Sequence, residues 1–280
     1  MTTETDYTGD GPKGPQAENN DPSPEGVPNF EEWPLSTWTF PDAGPTLWTQ
    51  TLGQEIGIDK VAAASLRVPP CEEAGSTDVP LLIFLGGAWG GTGHDTKHAD
   101  AIAGKAPILR ASLPLFLMDL EPLAKDQSNK WNRLFIASKE GPNLWQKWQP
   151  MLEKILTEPR IDHNSRSMGG FSNGANSIAA VLNDPEVGPQ FAKMFDTFIL
   201  VEGGHRWEPM SWLEGKHFLL INGSESVVGG PGHERTEWLR PVAESLQAVG
   251  AKVDFHIMPG VGHGFPQKEK ATVGEWLEAL

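Results

Sequence analysis

One serine in this chain stands in a pattern that serine nucleophiles use. Residues 170–174 read Gly-Phe-Ser-Asn-Gly, the only G-x-S-x-G in the sequence. Glycines on both sides allow a sharp turn between a strand and a helix, and such a turn holds the serine hydroxyl out at the edge of a sheet. An apolar run follows at 175–182 and predicts the helix, whose N-terminus would stabilise negative charge on the serine oxygen. The pattern therefore predicts a nucleophile at Ser172, and the alternative is an ordinary strand–helix turn that uses glycine for tightness.

A serine hydroxyl is a weak nucleophile and needs an adjacent base that a third group orients. The chain has eight histidines. His263 lies in a Gly-rich loop at 259–264, between the last predicted strand and the last predicted helix. His256 falls inside that strand, which favours a structural role for it. His263 is therefore the predicted base.

The rest of the sequence supplies elements that could position these groups. Short apolar runs stop at glycines, and helical patterns alternate with them, which is typical of a parallel sheet covered on both faces. Ligands of such sheets bind at the carboxyl ends of the strands. The predicted strands include 61–68, 81–85, 198–201, 218–221 and 253–258, with a short one at 168–171, and the predicted helices are 145–156, kinked or restarted at Pro150, 234–249 and 267–280.

Together these features resemble the α/β-hydrolase superfamily. The resemblance rests on Ser172 in its turn, on Gly86-Gly87-Ala88 after an apolar strand, and on His263 after the last strand. Segments 170–176 and 262–265 are most similar to its dienelactone-hydrolase-like and small carboxylesterase branches. The resemblance implies a mostly parallel central sheet with helices on both faces. It also implies hydrolysis of a small-molecule carboxylic ester through an acyl-serine, with no cofactor and no metal.

The same resemblance implies an oxyanion hole and a substrate pocket. By this resemblance, one backbone N–H donor is expected at Asn173 and the other at Ala88, in the turn after the strand at 81–85. Gly86 stands where relatives often carry histidine. Trp89 and Trp207 follow strand ends, so both are candidate walls of an apolar or aromatic pocket.

The acid of the triad is where the chain departs from the family pattern. Relatives usually carry aspartate three residues beyond the glycine that ends the second-last strand. Gly223 puts that position at Ser226, which holds no charge at neutral pH. The adjacent Glu225 is the predicted acid. Glu202, at the end of the preceding strand, is the alternative acid, and Glu234 is a third candidate.

Other functions remain open at this point. The serine at position 226 favours, as a rival, a non-catalytic binding protein that kept the fold after losing a working triad. Thioesterase, acyltransferase or peptidase chemistry would use the same residues as an esterase. His94 and His98 are spaced to share a metal on a helix, but Lys97 would repel a cation, so a solvated helix start is the preferred interpretation and no metal is predicted.

Composition excludes several classes of protein. The chain has 280 residues and a net charge of −15, which argues against a nucleic-acid partner, since such binders need clustered Lys and Arg. The single cysteine, Cys71, excludes a disulfide framework. The apolar stretches are too short to span a membrane. Residues 1–6 contain no export signal, so a cytoplasmic location is expected, and nothing in the sequence points to a particular oligomeric state.

We expect residues 1–32 to form a disordered acidic tail and residues 33–280 to form one α/β-hydrolase domain. In the tail many acidic residues face one lysine, Lys13, and almost nothing apolar is available to bury. Deleting residues 1–25 should therefore leave the melting temperature nearly unchanged in a thermal unfolding experiment, and a large drop would show that the tail is packed. The polar stretch 125–139 is a candidate lid.

Overall fold

The computed structural model describes residues 40, 44–51, 60–68, 78–87, 96–119, 133–135, 141–204, 210–226 and 239–280. The predicted tail at 1–32 and most of the candidate lid at 125–139 lie outside these residues. The described strands are β1 (Gly44–Thr51), β2 (Lys60–Val68), β3 (Val79–Leu85), β4 (Leu109–Ser112), β5 (Phe116–Asp119), β6 (Arg133–Phe135), β7 (Ile161–Phe171), β8 (Thr197–Val201), β9 (His217–Gly223) and β10 (Lys252–Met258).

These strands form one ten-stranded sheet in the order β10-β9-β8-β7-β3-β4-β2-β5-β6, with β1 paired to β2. Strands β10, β9, β8, β7, β3 and β4 pair in parallel. The antiparallel pairs are β1 with β2, β2 with β4, β2 with β5, and β5 with β6. The α/β class and the mostly parallel sheet predicted from the sequence are thereby confirmed.

Helices cover both faces of the sheet. Those described are α1 (Lys97–Ala103), α2 (Gly141–Ile155), α3 (Asn173–Leu182), α4 (Gly188–Lys193), α5 (Leu239–Ala248) and α6 (Gln267–Glu278). Buried residues of α2, α3, α4 and α5 belong to one hydrophobic cluster, and those of α1 and α6 belong to a second. The central strands therefore bury both of their faces, which is why they appear in the sequence as unbroken apolar runs.

The period of the strands decides which side chain joins which cluster. In β3, Ile83 and Leu85 lie in the first cluster, whereas Leu82 and Phe84 lie in the second. All of them are at most 1% exposed. Burial of such a side chain contributes about 1.5–3 kcal/mol. A one-residue slip of β3 would exchange its two faces, so the register that places the end of β3 beside the site is strongly specified.

Two elements differ from the prediction. Helix α2 starts at Gly141 and continues through Pro150, where a kink or restart was expected. The carbonyl left without its helical donor is that of Gln146, whose residue is exposed and can bond to water. Strand β7 starts at Ile161, well before the predicted position 168. Its first half consists mainly of polar side chains, so the sequence shows no apolar run there that would predict a strand.

Candidate active site

Ser172 occupies the sharp turn between β7 and α3. Its backbone has φ 54° and ψ −113°, a conformation that side-chain-bearing residues rarely adopt. Its N–H donates to the carbonyl oxygen of Val201 (2.7 Å), and its own carbonyl accepts from the N–H of Asn176 (3.0 Å). The turn is thus held by the neighbouring strand on one side and by the first turn of the helix on the other.

The two glycines around Ser172 allow three elements to meet at close range. A Cβ on Gly170 would lie 2.5 Å from the carbonyl carbon of Gly174. A Cβ on Gly174 would lie 2.8 Å from the carbonyl oxygens of both Leu85 and Gly86. The pattern G-x-S-x-G therefore brings the backbones of β7, α3 and β3 into contact, and the serine lies at their junction.

Substituting Gly174 with alanine should destabilise the protein. The new methyl group would press on backbone atoms at the end of β3, and such overpacking typically costs about 1–3 kcal/mol. Denaturant unfolding measures the change in the free energy of unfolding. Gly264→Ala is the matched control, because a Cβ there meets nothing within 4 Å. Equal stabilities of the two variants would contradict the close approach.

His263 lies beside Ser172, as its place in the sequence predicts. It belongs to the loop after β10, and its Nε2 is 2.9 Å from Ser172 Oγ. Its Nδ1 is 3.1 Å from Oε2 of Glu202. Because a carboxylate can only accept, Nδ1 carries the proton and Nε2 is left to accept from the serine hydroxyl. The ring of Phe171 stacks on the imidazole at 5.2 Å between centroids.

The carboxylate on His263 is that of Glu202, the alternative acid. Glu202 follows β8 at φ 55°, and its residue is fully buried. The backbone N–H of Gly223 donates to Oε1, and the hydroxyl of Ser226 donates to Oε2. With the imidazole N–H as a further donor to Oε2, this buried carboxylate is well supplied with hydrogen bonds, as a buried charge requires.

This geometry corrects the expectation that Glu225 contacts the imidazole. Glu225 is exposed, whereas the next residue, Ser226, is fully buried. What Glu225 offers to the His263 loop is its backbone N–H, which donates to the carbonyl oxygen of Val261 (2.9 Å). Neighbouring side chains of this tight turn point in different directions, so an acid one residue away from the usual position faces solvent.

The turn that carries Glu202 is fixed against the serine. Oδ1 of Asn176, one helical turn after Ser172, accepts from the N–H of Gly204 (2.7 Å). A Cβ on Gly203 would lie 2.5 Å from the carbonyl oxygen of Ser172. Sequence reasoning did not single out Asn176, although its i, i+4 spacing from the serine places it on the same side of α3.

The turn after β3 also reaches the serine. Gly86 and Gly87 are buried, and a Cβ on Gly87 would lie 3.5 Å from Ser172 Cβ. The backbone N–H of Asn173 is among the first of α3, where N–H groups have no partner within the helix. The other residues predicted around this site lie outside the described part of the chain, namely Ala88, Trp89, His94, Trp207 and Glu234.

His98 packs against aromatic rings and is half-buried, which corrects the expectation of a solvated helix start at this residue, whereas Lys97 beside it is exposed. It lies in α1, with its ring 5.6 Å from that of Phe84 and 6.3 Å from that of Phe171. Among the described residues, no group of three or more His, Cys, Asp or Glu side chains is arranged to hold a metal ion. Nor does the described part contain a helix that is both long and apolar enough to cross a membrane.

Solved structures share this architecture at low sequence identity. The S-formylglutathione hydrolase from Agrobacterium tumefaciens is 13% identical with a TM-score of 0.53, over 86% of this chain and 96% of that chain. A carboxylesterase from Mesorhizobium loti is 17% identical with a TM-score of 0.50, over 83% and 99%. A fungal esterase from Rhizomucor miehei is 15% identical with a TM-score of 0.53, over 85% and 83%. The chain has the α/β-hydrolase fold. No protein-family model and no curated protein sequence matches it.

In this α/β-hydrolase fold the three hydrogen-bonded side chains follow three parallel strands. Ser172 follows β7, Glu202 follows β8 and His263 follows β10, so all three lie at the carboxyl edge of the sheet. A surface groove of about 280 Å³ lies elsewhere, near Pro80 at the opposite end of β3 and Leu277 of α6. The hydroxyl, imidazole and carboxylate together can transfer a proton from the serine to the histidine and stabilise the resulting imidazolium.

Proposed function

We propose that this protein is a serine hydrolase that cleaves carboxylic esters through an acyl-serine intermediate. The observation that carries the proposal is the hydrogen-bonded series Ser172 Oγ, His263 Nε2 and Nδ1, and Glu202 Oε2, at 2.9 and 3.1 Å. The rare backbone conformation of Ser172 supports it further, because strained φ and ψ angles cluster at functional sites. Esterases occur among the structurally similar proteins, which supports an ester as the substrate.

In the proposed reaction, Ser172 Oγ attacks the ester carbonyl carbon while its proton passes to His263 Nε2. Glu202 stabilises the imidazolium that forms. The N–H groups of Asn173 and Ala88 are proposed to hold the oxyanion of the tetrahedral intermediate. Collapse of that intermediate breaks the ester C–O bond, and His263 returns the proton to the departing alcohol.

The second half of the reaction uses the same groups in reverse roles. His263 takes a proton from water, the hydroxide oxygen attacks the acyl-serine, and the carboxylic acid leaves as Ser172 regains its proton. We propose a small-molecule ester as substrate, with an apolar or aromatic part that Trp89 and Trp207 would contact. No step requires a cofactor.

Labelling with a fluorophosphonate tests the proposal directly. An activated serine displaces fluoride from the reagent and keeps the phosphonyl group, which intact-protein mass spectrometry detects. We expect one adduct on the wild type and on Ser177→Ala, a control in the helix that follows Ser172, and none on Ser172→Ala. Labelled protein should also lose the ability to hydrolyse a p-nitrophenyl ester.

Two outcomes would contradict the proposal. A folded wild-type protein that gains no adduct would favour the non-catalytic binding protein. An adduct that persists on Ser172→Ala would assign the reactive serine elsewhere. Circular dichroism of each variant establishes that the fold is retained, so that loss of labelling reports the chemistry of residue 172.

A further inference from the structure

Ser226 occupies the position at which the sequence resemblance leads one to expect the triad acid. It lies in the turn after β9, three residues beyond Gly223, and it is fully buried. Its hydroxyl donates to Oε2 of Glu202. The same oxygen faces His263 Nδ1 at 3.1 Å. The imidazole and the serine hydroxyl therefore share one carboxylate oxygen.

The Ser226 hydroxyl can fix the orientation of the Glu202 carboxylate, which is needed because the glutamate side chain is long and fully buried. A glutamate has one more rotatable bond than an aspartate, and holding its carboxylate in a single orientation costs conformational entropy. The Gly223 N–H fixes Oε1, and the Ser226 hydroxyl fixes Oε2. With only the first of these donors, the carboxylate could turn about its terminal bond and move Oε2 away from the imidazole.

The shared oxygen also defines how close position 226 is to the imidazole. One oxygen atom separates the Ser226 hydroxyl from His263 Nδ1. An aspartate at position 226 would place its carboxyl carbon where the hydroxyl oxygen now lies. Its carboxylate oxygens would then lie one bond further from the backbone. The ends of β8 and β9 thus border a single acid site, which the chain fills from position 202.

We propose that Ser226 is a positioning residue that orients Glu202 for the triad, and that the acid site can be filled from position 226 when Glu202 is removed. This inference rests on the proposed function, because it concerns the orientation of the catalytic imidazole. It goes further by assigning a role to a serine in the place where the acid was expected.

The first experiment removes the hydroxyl alone. Ser226→Ala should lower kcat for a p-nitrophenyl ester by about 10–100-fold, the range expected for a hydrogen bond to a charged group. KM should stay unchanged, because the hydroxyl acts on the imidazole through Glu202 and does not touch substrate. A wild-type kcat in Ser226→Ala would overturn the positioning role.

The second experiment moves the acid. Glu202→Ala empties the site and makes room, and we expect it to lower kcat by about 10³-fold or more. Adding Ser226→Asp to this variant should recover at least about tenfold of the lost rate. Adding Ser226→Asn instead keeps the volume without the charge and should recover nothing. Equal rates of the two folded double variants would overturn the shared acid site.

These outcomes are distinct from failure of the proposed function. If the wild type is neither labelled by a fluorophosphonate nor active on esters, the proposed function itself is wrong. If the wild type is labelled and active, the Ser226 variants decide the inference alone. Should the double variants not fold, as judged by circular dichroism, the kcat and KM of Ser226→Ala still decide whether the hydroxyl positions the acid.

Discussion

His263→Ala should reduce kcat/KM for an ester substrate by about 10⁴–10⁶-fold, the range for loss of a triad base. Ser172 Oγ would lose the acceptor 2.9 Å away, and no other described side chain is hydrogen-bonded to it. The His263 side chain is 37% exposed, so its removal empties little of the core. Steady-state kinetics together with a thermal melt should therefore show a large loss of rate and a small change in melting temperature.

His256→Ala is the control for this experiment. His256 lies on β10, and its Nε2 is 2.7 Å from the buried carboxylate of Glu269, so it resembles His263 in having an acidic partner. It is not part of the series that ends at Ser172. We expect nearly wild-type kcat with a lower melting temperature, because Glu269 is left with an unpaired buried charge. A greater loss of rate in His256→Ala than in His263→Ala would refute the assignment of the base.

Backbone hydrogen bonds explain how groups from three strands can hold so defined a geometry. The N–H of Ser172 donates to Val201, the residue before Glu202. The N–H of Glu202 donates to Ile221 of β9 (2.9 Å). The turn after β9 in turn bonds to the loop of His263. Backbone hydrogen bonds thus join the loops that carry Ser172, Glu202 and His263 in series. The backbone therefore holds these side chains in place before substrate binds.

The sequence predicts most of what positions the site. The apolar runs that became β3, β8 and β9 stop at glycines close to where the strands end. Because parallel strands end at the same edge, Ser172 and His263 could be expected to approach each other. The motif around Ser172 needs glycine for a physical reason, namely contact between backbones, and such requirements are visible in a sequence.

The orientation of side chains in a short turn is not visible in the same way. Counting residues from Gly223 leads to Glu225 or Ser226, but only the conformation of the turn decides which of them is buried. Glu202 has φ 55°, a left-handed conformation that a glutamate rarely adopts. The local sequence therefore does not predict the conformation of this residue. Tertiary contacts hold this turn: the N–H of Gly204 donates to Asn176, and the N–H of Gly223 donates to the Glu202 carboxylate. Those contacts join residues that are far apart in sequence.

His98 illustrates the same limit on the other face of the sheet. Its polar neighbours Thr96 and Lys97 suggest a helix start in water. In the structure Thr96 is buried and Lys97 is exposed, and His98 packs against Phe84 of β3. A helix of this length has too few apolar residues for its period to show which side faces the sheet.

Glu202→Gln should lower kcat by about 10³–10⁴-fold. The substitution keeps the size of the side chain but removes the charge that would stabilise the imidazolium. It can also present an N–H to His263 Nδ1, which favours the tautomer that is unable to accept the serine proton at Nε2. The measurement is kcat and KM on a p-nitrophenyl ester, with the rate of fluorophosphonate labelling as a second readout of the reactivity of Ser172.

Glu225→Gln is the matched control, since it makes the same chemical change in the acid predicted from the sequence. The Glu225 residue is exposed, and it contacts the His263 loop through its backbone N–H, which the substitution leaves in place. We therefore expect kcat within about twofold of the wild type, as for surface substitutions in general. If Glu225→Gln lost the larger part of the rate while Glu202→Gln kept it, the acid would be Glu225, and the His263 loop would adopt a different position during catalysis.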